Sequence, residues 1–312
     1  MENFTAYLQS KNLAQSSINH YTDYASKFFA YSKKEAAQVE KKDVLKYLQY
    51  LQNKKGYENI TRRNHLIAIN HYFTFLLKNE QVANNPATLI KIRGTHKRHL
   101  YKIYTPEELE TLFDTYYTLF VKTFDDNHIP KNQRKQSALS KERNAAILSI
   151  LINQGTTTKE IDTILLQDID LTKATLKIQG SKKSNERTLP LKAEQIGLLM
   201  HYINTLRPQL LEYHTADSNK LFLPMPEFSK RDTESATLMH VFKPFTSQLK
   251  SIDKNFVNFK QVRASVITYW LKTYGLRKAQ HYAGHRYISS TENYLPNEME
   301  TLTDDISKYN PF

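Results

Sequence analysis

The chain has 312 residues, 40% of them hydrophobic and 12% aromatic, enough for packed cores in two domains and against wholesale disorder. Its 44 Lys/Arg against 31 Asp/Glu give a formal charge of +13, which favours a polyanionic partner, either nucleic acid or an anionic membrane surface. The absence of cysteine excludes a disulfide scaffold, thiol catalysis and Cys-based zinc sites, and no run approaches the roughly 18 apolar residues of a membrane span.

The charge is uneven. Residues 1–98 carry 16 Lys/Arg against 7 Asp/Glu, most of the excess in under a third of the chain. This part reads as all helix, with segments at about 2–10, 15–32, 41–54 and 59–79. In the second segment Ile18, Tyr21, Tyr24, Phe28 and Phe29 recur at helical spacing. In the fourth, Leu66, Ile69, Tyr72, Phe73 and Leu76 share a face, and Arg62, Arg63 and Asn64 lie near its start. Arginine at a helix N-terminus opposes the helix dipole, so a bound anion gives these residues a physical reason; a solvated face is the bland alternative. A break follows at Asn84-Asn85-Pro86-Ala87, because a proline disfavours helix for the residue before it. The basic stretch Lys91 to His99, with Lys97 and Arg98, reads as a linker and a further source of phosphate contacts. The domains are therefore expected at 1–92 and 104–312, joined by a linker at 93–103.

A fresh helix starts at Thr105-Pro106-Glu107-Glu108: N-cap, proline at the first position, acids in the first turn. It is expected over 105–121, followed by a polar insertion at 122–138 and a helix at 140–153. Gly155-Thr156-Thr157-Thr158-Lys159-Glu160-Ile161 reads as a turn into another helix with threonine near its cap. Residues 168–191 alternate as strand, turn and strand, a β-hairpin with Lys182 and Lys183 at its tip. The remainder, 192–303, is again mostly helical. The fold class is mainly α with a small β-hairpin or sheet, in two domains.

The run GLRKAQHYAGHRYISSTENY places Gly284-His285 nine residues before Tyr294. This resembles the end of the tyrosine recombinase (phage integrase) family, where a Gly-His pair precedes a nucleophilic tyrosine. FKQVRASVITYWL resembles the family's His-x-x-Arg box, with Arg263 in the arginine position and Lys260 in the histidine position. GSKKSNERTLPL resembles its lysine-bearing hairpin, and RNAAILSILINQGTTTKEIDTILLQDIDL its first box. The segments SSINHYTDYASKFF, NITRRNHLIAINHYFTFL and NPA resemble the helical, SAM-like DNA-binding domain of the family. The resemblance covers nearly the whole chain in the right order.

Two departures stand out. The arginine of the first box falls on Thr157, and the histidine of the second on Lys260. The resemblance implies a two-domain clamp on duplex DNA and a 3′-phosphotyrosyl intermediate at Tyr294, with no cofactor. Cleaving a phosphodiester builds charge on its non-bridging oxygens, and preorganised cations are the usual answer; losing one such donor costs roughly 10²–10³ in rate. Arg263 has the planar fork for two phosphate oxygens. Threonine has no charge, so Lys159, Arg143, Arg187 or nothing replaces the missing guanidinium. Lys182, or its neighbour Lys183, is expected to protonate the leaving 5′ oxygen. His285 is expected to bond a phosphate oxygen or move a proton, and Lys260 to supply charge.

Each residue also has a bland reading. Tyr294 is one of 20 tyrosines, Arg263 sits among Val262, Val266 and Ile267, and a hairpin lysine is ordinarily solvated. Trp270 is expected in the core. Despite 11 histidines, no HExxH or clustered ligand set predicts a metal, and seven glycines without GxGxxG or a P-loop disfavour a nucleotide-binding α/β fold. Three functions are weighed: a site-specific recombinase or integrase, its activity weakened by the lost arginine; a catalytically degenerate DNA-binding accessory protein of the same fold; and an unrelated basic helical RNA binder. The first implies double-stranded DNA and a homo-tetramer on it, the free chain being possible as a monomer. The segment after Tyr294, with Leu302, Ile306, Tyr309 and Phe312, would dock on a neighbour. Met1-Glu2-Asn3-Phe4 lacks signal-peptide features, so a cytoplasmic, nucleoid-associated protein away from membranes is expected.

Overall fold

The structure is a computed structural model and describes residues 2–94, 101–123, 125, 127, 129–182, 184–215, 217–225 and 237–295. The chain forms two compact units, residues 1–99 and 100–312.

The first unit is built from α1 (Glu2–Ser10), α2 (Gln15–Ser32), α3 (Lys41–Asn53) and α4 (Asn59–Lys78). Its apolar residues recur at helical spacing, so each helix buries one face. Phe28, Val44, Tyr47, Leu48, Leu51, Leu66, Ile69, Phe73 and Leu76 form one core, and Phe4, Leu8, Ile18 and Ala25 a second cluster. His65 is buried in the same unit. The Tyr47 hydroxyl bonds its Nδ1 at 3.0 Å and the Tyr24 ring stacks on it at 3.9 Å. Burial, helped by Lys27, pushes its imidazole down to about 4. The break after α4 is an Asx turn, with Asn85 Oδ1 accepting from Ala87 N at 2.9 Å across Pro86.

The second unit opens with α5 (Pro106–Tyr117). Thr105 and Glu108 cap it reciprocally: Glu108 N donates to Thr105 Oγ1, and Thr105 N to Glu108 Oε2. The next helix, α6 (Lys131–Gln154), begins well before the expected residue 140. Residues 131–138 carry no apolar stripe to announce a helix. They are rich in Lys, Gln and Arg, whose intrinsic propensity extends it from Leu139. From Arg143 to Ile152 every residue of α6 is buried, which makes it the central helix of the unit.

A short α7 (Thr158–Thr163) leads to an antiparallel sheet of β1 (Ile169–Asp170), β2 (Thr175–Ile178) and β3 (Arg187–Pro190). The expected hairpin is β2–β3; β1, too short to show an alternation, adds a third strand. In the β2–β3 register Leu176 faces Leu189 and Ile178 faces Arg187. Then follow α8 (Ala193–His201), α9 (Arg207–Leu211), α10 (Phe242–Ile252), α11 (Phe259–Ala283) and α12 (Ser289–Glu292). Val262, Val266, Ile267, Trp270 and Leu271 of α11 join Ile147, Ile150 and Leu151 of α6 in one core. Gly155, which ends α6 at φ +53°, makes this approach possible, since a Cβ there would lie 2.9 Å from Val266 Cγ1. No helix among the described residues is long and apolar enough to cross a membrane.

Candidate active site

Four segments meet at one end of the second unit: the α6–α7 turn, the end of the β2–β3 hairpin, the first turns of α11, and the chain from Ala283 to Tyr294. The start of α11 is held firmly. Asn258 caps it by accepting from Lys260 N and Gln261 N. The buried Gln261 side chain donates to Lys102 O and Asn255 O and accepts from Val257 N. Arg263 follows two residues later and is therefore placed by a rigid helix end. Its Nη1 donates to Gly155 O, and its Nη2 to Ala283 O at 2.8 Å and to His285 Nε2 at 3.2 Å.

That last contact fixes the histidine. A guanidinium only donates, so Nε2 of His285 is the acceptor and the ring proton sits on Nδ1, which donates to Thr291 Oγ1 at 2.9 Å. Burial, with the adjacent charges of Arg263 and Arg187, pushes the imidazole down to about 4, so it is neutral at pH 7. The Tyr294 ring stacks on it, 5.8 Å between centroids and 13° between planes. Tyr294 is half-buried, and its oxygen lies close enough to Arg263 to act on that charge.

A second arginine lies beneath. The Arg187 side chain is 0% exposed; its Nη1 donates to Glu160 Oε1 at 2.7 Å. Its Nε and Nη2 have no hydrogen-bond partner. The same carboxylate faces Arg263, with Oε2 3.7 Å from Nη1, and accepts from Thr157 N and Thr157 Oγ1 at 2.7 and 3.0 Å. Burial raises the Glu160 pKa, but the Arg187 hydrogen bond, both guanidinium charges and the Thr157 N–H outweigh it and leave it below the ordinary value. Two arginines, one carboxylate and a neutral imidazole leave one net positive charge, which suits a phosphodiester anion beside a phenol.

The hairpin is tied onto this cluster. Asn185 N donates to Gly284 O at 2.9 Å, Ser184 and His285 form a backbone bridge, and Arg286 Nη2 donates to Ser181 O at 3.3 Å. Gly284, at φ +68°, is a close approach: a Cβ would stand 2.5 Å from Arg187 Nη1 and 3.0 Å from Asn185 O.

Arg263, His285 and Tyr294 are thus brought together. Lys182, next to Ser181, is exposed, and Lys183 lies outside the described residues. Lys260 is exposed one turn before Arg263, and no ion pair or hydrogen bond links its ammonium to the cluster among the described residues. Thr157, where the first-box arginine would fall, is the N-cap of α7. Of the three replacements, Lys159 is exposed and Arg143 is buried elsewhere, donating to Leu223 O and Asn144 Oδ1; only Arg187 reaches the cluster. In the first unit Arg63 and Asn64 are exposed. Arg62 is not free for an external anion through its whole fork, since Nε donates to Leu48 O and Nη1 to Asn59 Oδ1. Lys97, Arg98 and the tail residues Leu302, Ile306, Tyr309 and Phe312 lie outside the described residues. No group of three His, Cys, Asp or Glu side chains that could hold a metal occurs among the described residues.

Sequence reasoning missed Glu160 and Thr291 and gave Arg187 no preference. One signal was available for Arg187. It alternates with Leu189 and Leu191, so strand parity puts the guanidinium on the apolar face.

Comparison with known proteins identifies the family and the fold. The profile of the phage integrase family matches residues 126–301, and that of the phage integrase N-terminal SAM-like domain matches residues 1–82. Tyrosine recombinase XerC of Natranaerobius thermophilus is 28% identical over 96% of this chain and 94% of its own. Among solved structures, XerH site-specific recombinase bound to palindromic difH substrate, a post-cleavage complex, aligns with a TM-score of 0.68 at 19% identity, covering 95% of this chain and 81% of the other. A lambda integrase tetramer bound to a Holliday junction aligns with a TM-score of 0.58 at 12% identity, covering 92% and 76%. At these identities the two structures establish a shared fold.

Proposed function

The chain belongs to the phage integrase family, and from that membership we propose that it is a site-specific recombinase that cuts and rejoins duplex DNA through a 3′-phosphotyrosyl link at Tyr294. One observation carries the reading: Arg263, His285 and Tyr294, drawn from opposite ends of α11 and beyond, are in mutual contact. A protein that only bound DNA would have no need of that convergence.

In this reading the Tyr294 oxygen attacks phosphorus in line and the bond to the 5′ oxygen breaks. The phenol is a poor nucleophile while protonated. His285 takes its proton at Nε2, the nitrogen that Arg263 releases as its guanidinium turns to the phosphate oxygens. Lys182, on the hairpin that is bonded to Gly284 and Arg286, gives a proton to the leaving 5′ oxygen, and Lys260 adds positive charge from the exposed side of α11. The phosphotyrosyl link keeps the energy of the broken bond, so a 5′ hydroxyl from a second strand rejoins it without a nucleotide or metal cofactor. Residues 1–92 serve as the DNA-binding domain, with Arg63 and Asn64 toward the phosphates, residues 93–103 as linker, and residues 104–312 as the catalytic domain and tail. Two strand exchanges call for four protomers around two duplexes, in keeping with the tetramer of the lambda integrase structure. Action on the chromosome would place the protein in the cytoplasm.

The test is covalent capture. Nicked duplexes taken from the DNA flanking the gene are incubated with protein, and an SDS-resistant adduct is sought beside Tyr294→Phe. An adduct that disappears in the variant supports the reading. Tight, specific binding with no adduct turns it to the catalytically degenerate DNA-binding protein that the threonine at position 157 would allow.

A further inference from the structure

We infer that Arg187, delivered by β3, supplies the second guanidinium to the scissile phosphate in place of the residue at position 157. The inference rests on the recombinase reading and deepens it by naming a catalytic residue.

Three observations carry it. First, the side chain is fully covered, yet Nε and Nη2 are without partners. Those two N–H groups form the side edge of the guanidinium, the edge that grips two oxygens of a phosphate side by side. Buried donors of this kind are rarely left unmade, least of all on a charged group, unless a ligand completes them. Second, the position is right. Arg187 and Arg263 share Glu160, and Arg187 Nη1 lies against Gly284, the residue before His285. Glu160 also receives the backbone N–H and hydroxyl of Thr157. One carboxylate thus spans position 157 on one oxygen and Arg187 on the other. Third, the charge is right. Glu160 offsets one guanidinium, and without Arg187 the carboxylate and Arg263 would leave the cluster neutral, with His285 uncharged. A neutral cluster offers little to a transition state that gains negative charge.

A purely structural role for Arg187, holding Glu160 in place, would account for Nη1 alone. It leaves the open edge unexplained.

The experiment uses the full chain and a nicked duplex from the flanking DNA, prepared in two forms. One carries the natural phosphate at the scissile position. The other carries a methylphosphonate, in which a methyl group replaces one non-bridging oxygen and removes its charge. Adduct formation is timed for wild type, Arg187→Ala and Arg187→Lys, with Tyr294→Phe as the blank. The expected result is a loss of roughly 10²–10³-fold for Arg187→Ala on the phosphate. On the methylphosphonate its rate should come close to that of wild type, because the charge that Arg187 offsets is gone. Arg187→Lys, which keeps a cation against Glu160 but lacks the fork, should fall between them and recover in the same way. It carries the comparison if the alanine variant does not fold. An equal deficit on both substrates, or no deficit on the phosphate, overturns the role of Arg187 and leaves the recombinase reading standing. A wild-type protein that binds its duplex and forms no adduct on either substrate overturns that reading, and this inference with it.

Discussion

Nη2 of Arg263 lies 3.2 Å from Nε2 of His285, and this contact can exist only with the imidazole unprotonated at Nε2. The folded-state pKa, about 4, is below the ordinary value near 6.5. Between those values the unfolded chain takes up a proton that the folded chain refuses. The stability held by neutral His285 is therefore complete above about pH 6.5 and lost as pH falls toward 4. His65, also pushed down to about 4, acts in the same direction in the first unit. An NMR titration of the histidine side chains should show both resonances unmoved from pH 8 to 5, with the His285 proton on Nδ1. A midpoint near 6.5 for His285 would contradict the tautomer and the Arg263 contact together.

Gly284→Ala should damage the site more than one methyl group suggests. The backbone is left-handed there, and the new Cβ would stand 2.5 Å from Arg187 Nη1 and 3.0 Å from the Asn185 carbonyl. Left-handed strain and overpacking together cost about 2–6 kcal/mol. The hairpin must lift, because Asn185 N bonds Gly284 O. Denaturant unfolding of the second unit should shift by that amount, and adduct formation should fall with it. A variant of unchanged midpoint and full activity would mean that the hairpin is not seated on Gly284.

How much of this was legible beforehand follows from which signals are local. The four N-terminal helices were legible within a residue because their apolar residues repeat on single faces. The order of the boxes gave the site its parts: Arg263, His285 and Tyr294. Residues 131–138 read as insertion because a solvated helix has no stripe to announce it, and β1 is invisible at two residues. Glu160 was missed because its importance lies in two arginines brought to it from distant strands and helices. The bond from Arg62 to Leu48 O is illegible for the same reason, since its acceptor belongs to a different helix.

The threonine at position 157 has a specific structural task, which can be separated from catalysis. Its hydroxyl accepts from Glu160 N at 3.1 Å as the N-cap of α7. Thr157→Ala removes that cap, and such losses cost about 0.5–2 kcal/mol. If capping is its whole contribution, the rate of Tyr294 adduct formation should stay within about threefold of wild type at a temperature where the variant is folded. A fall approaching 10²-fold, the size seen when a transition-state donor is lost, would instead assign the hydroxyl to the phosphate. Melting curves and adduct time courses on the same preparation distinguish the two.

Arg62 and Arg63 stand side by side in sequence yet should behave as different kinds of residue. Arg62 is half-buried and bonds the Leu48 carbonyl and the Asn59 side chain, joining the first turn of α4 to the middle of α3. Arg62→Ala removes the side-chain hydrogen bond between α4 and α3 and should lower the stability of the first unit by about 1 kcal/mol. Arg63 is exposed one position later, and no hydrogen bond or ion pair engages it among the described residues. If it faces a phosphate, Arg63→Ala should leave stability unchanged and weaken duplex binding by a similar factor on every sequence. Each phosphate contact contributes about 0.9 to the slope of log affinity against log salt, so that slope should become shallower by nearly one. Salt titrations of both variants on one duplex check this. An unchanged slope for Arg63→Ala, or a reduced one for Arg62→Ala at full stability, would reverse the two roles and turn the DNA-facing side of α4 toward Arg62.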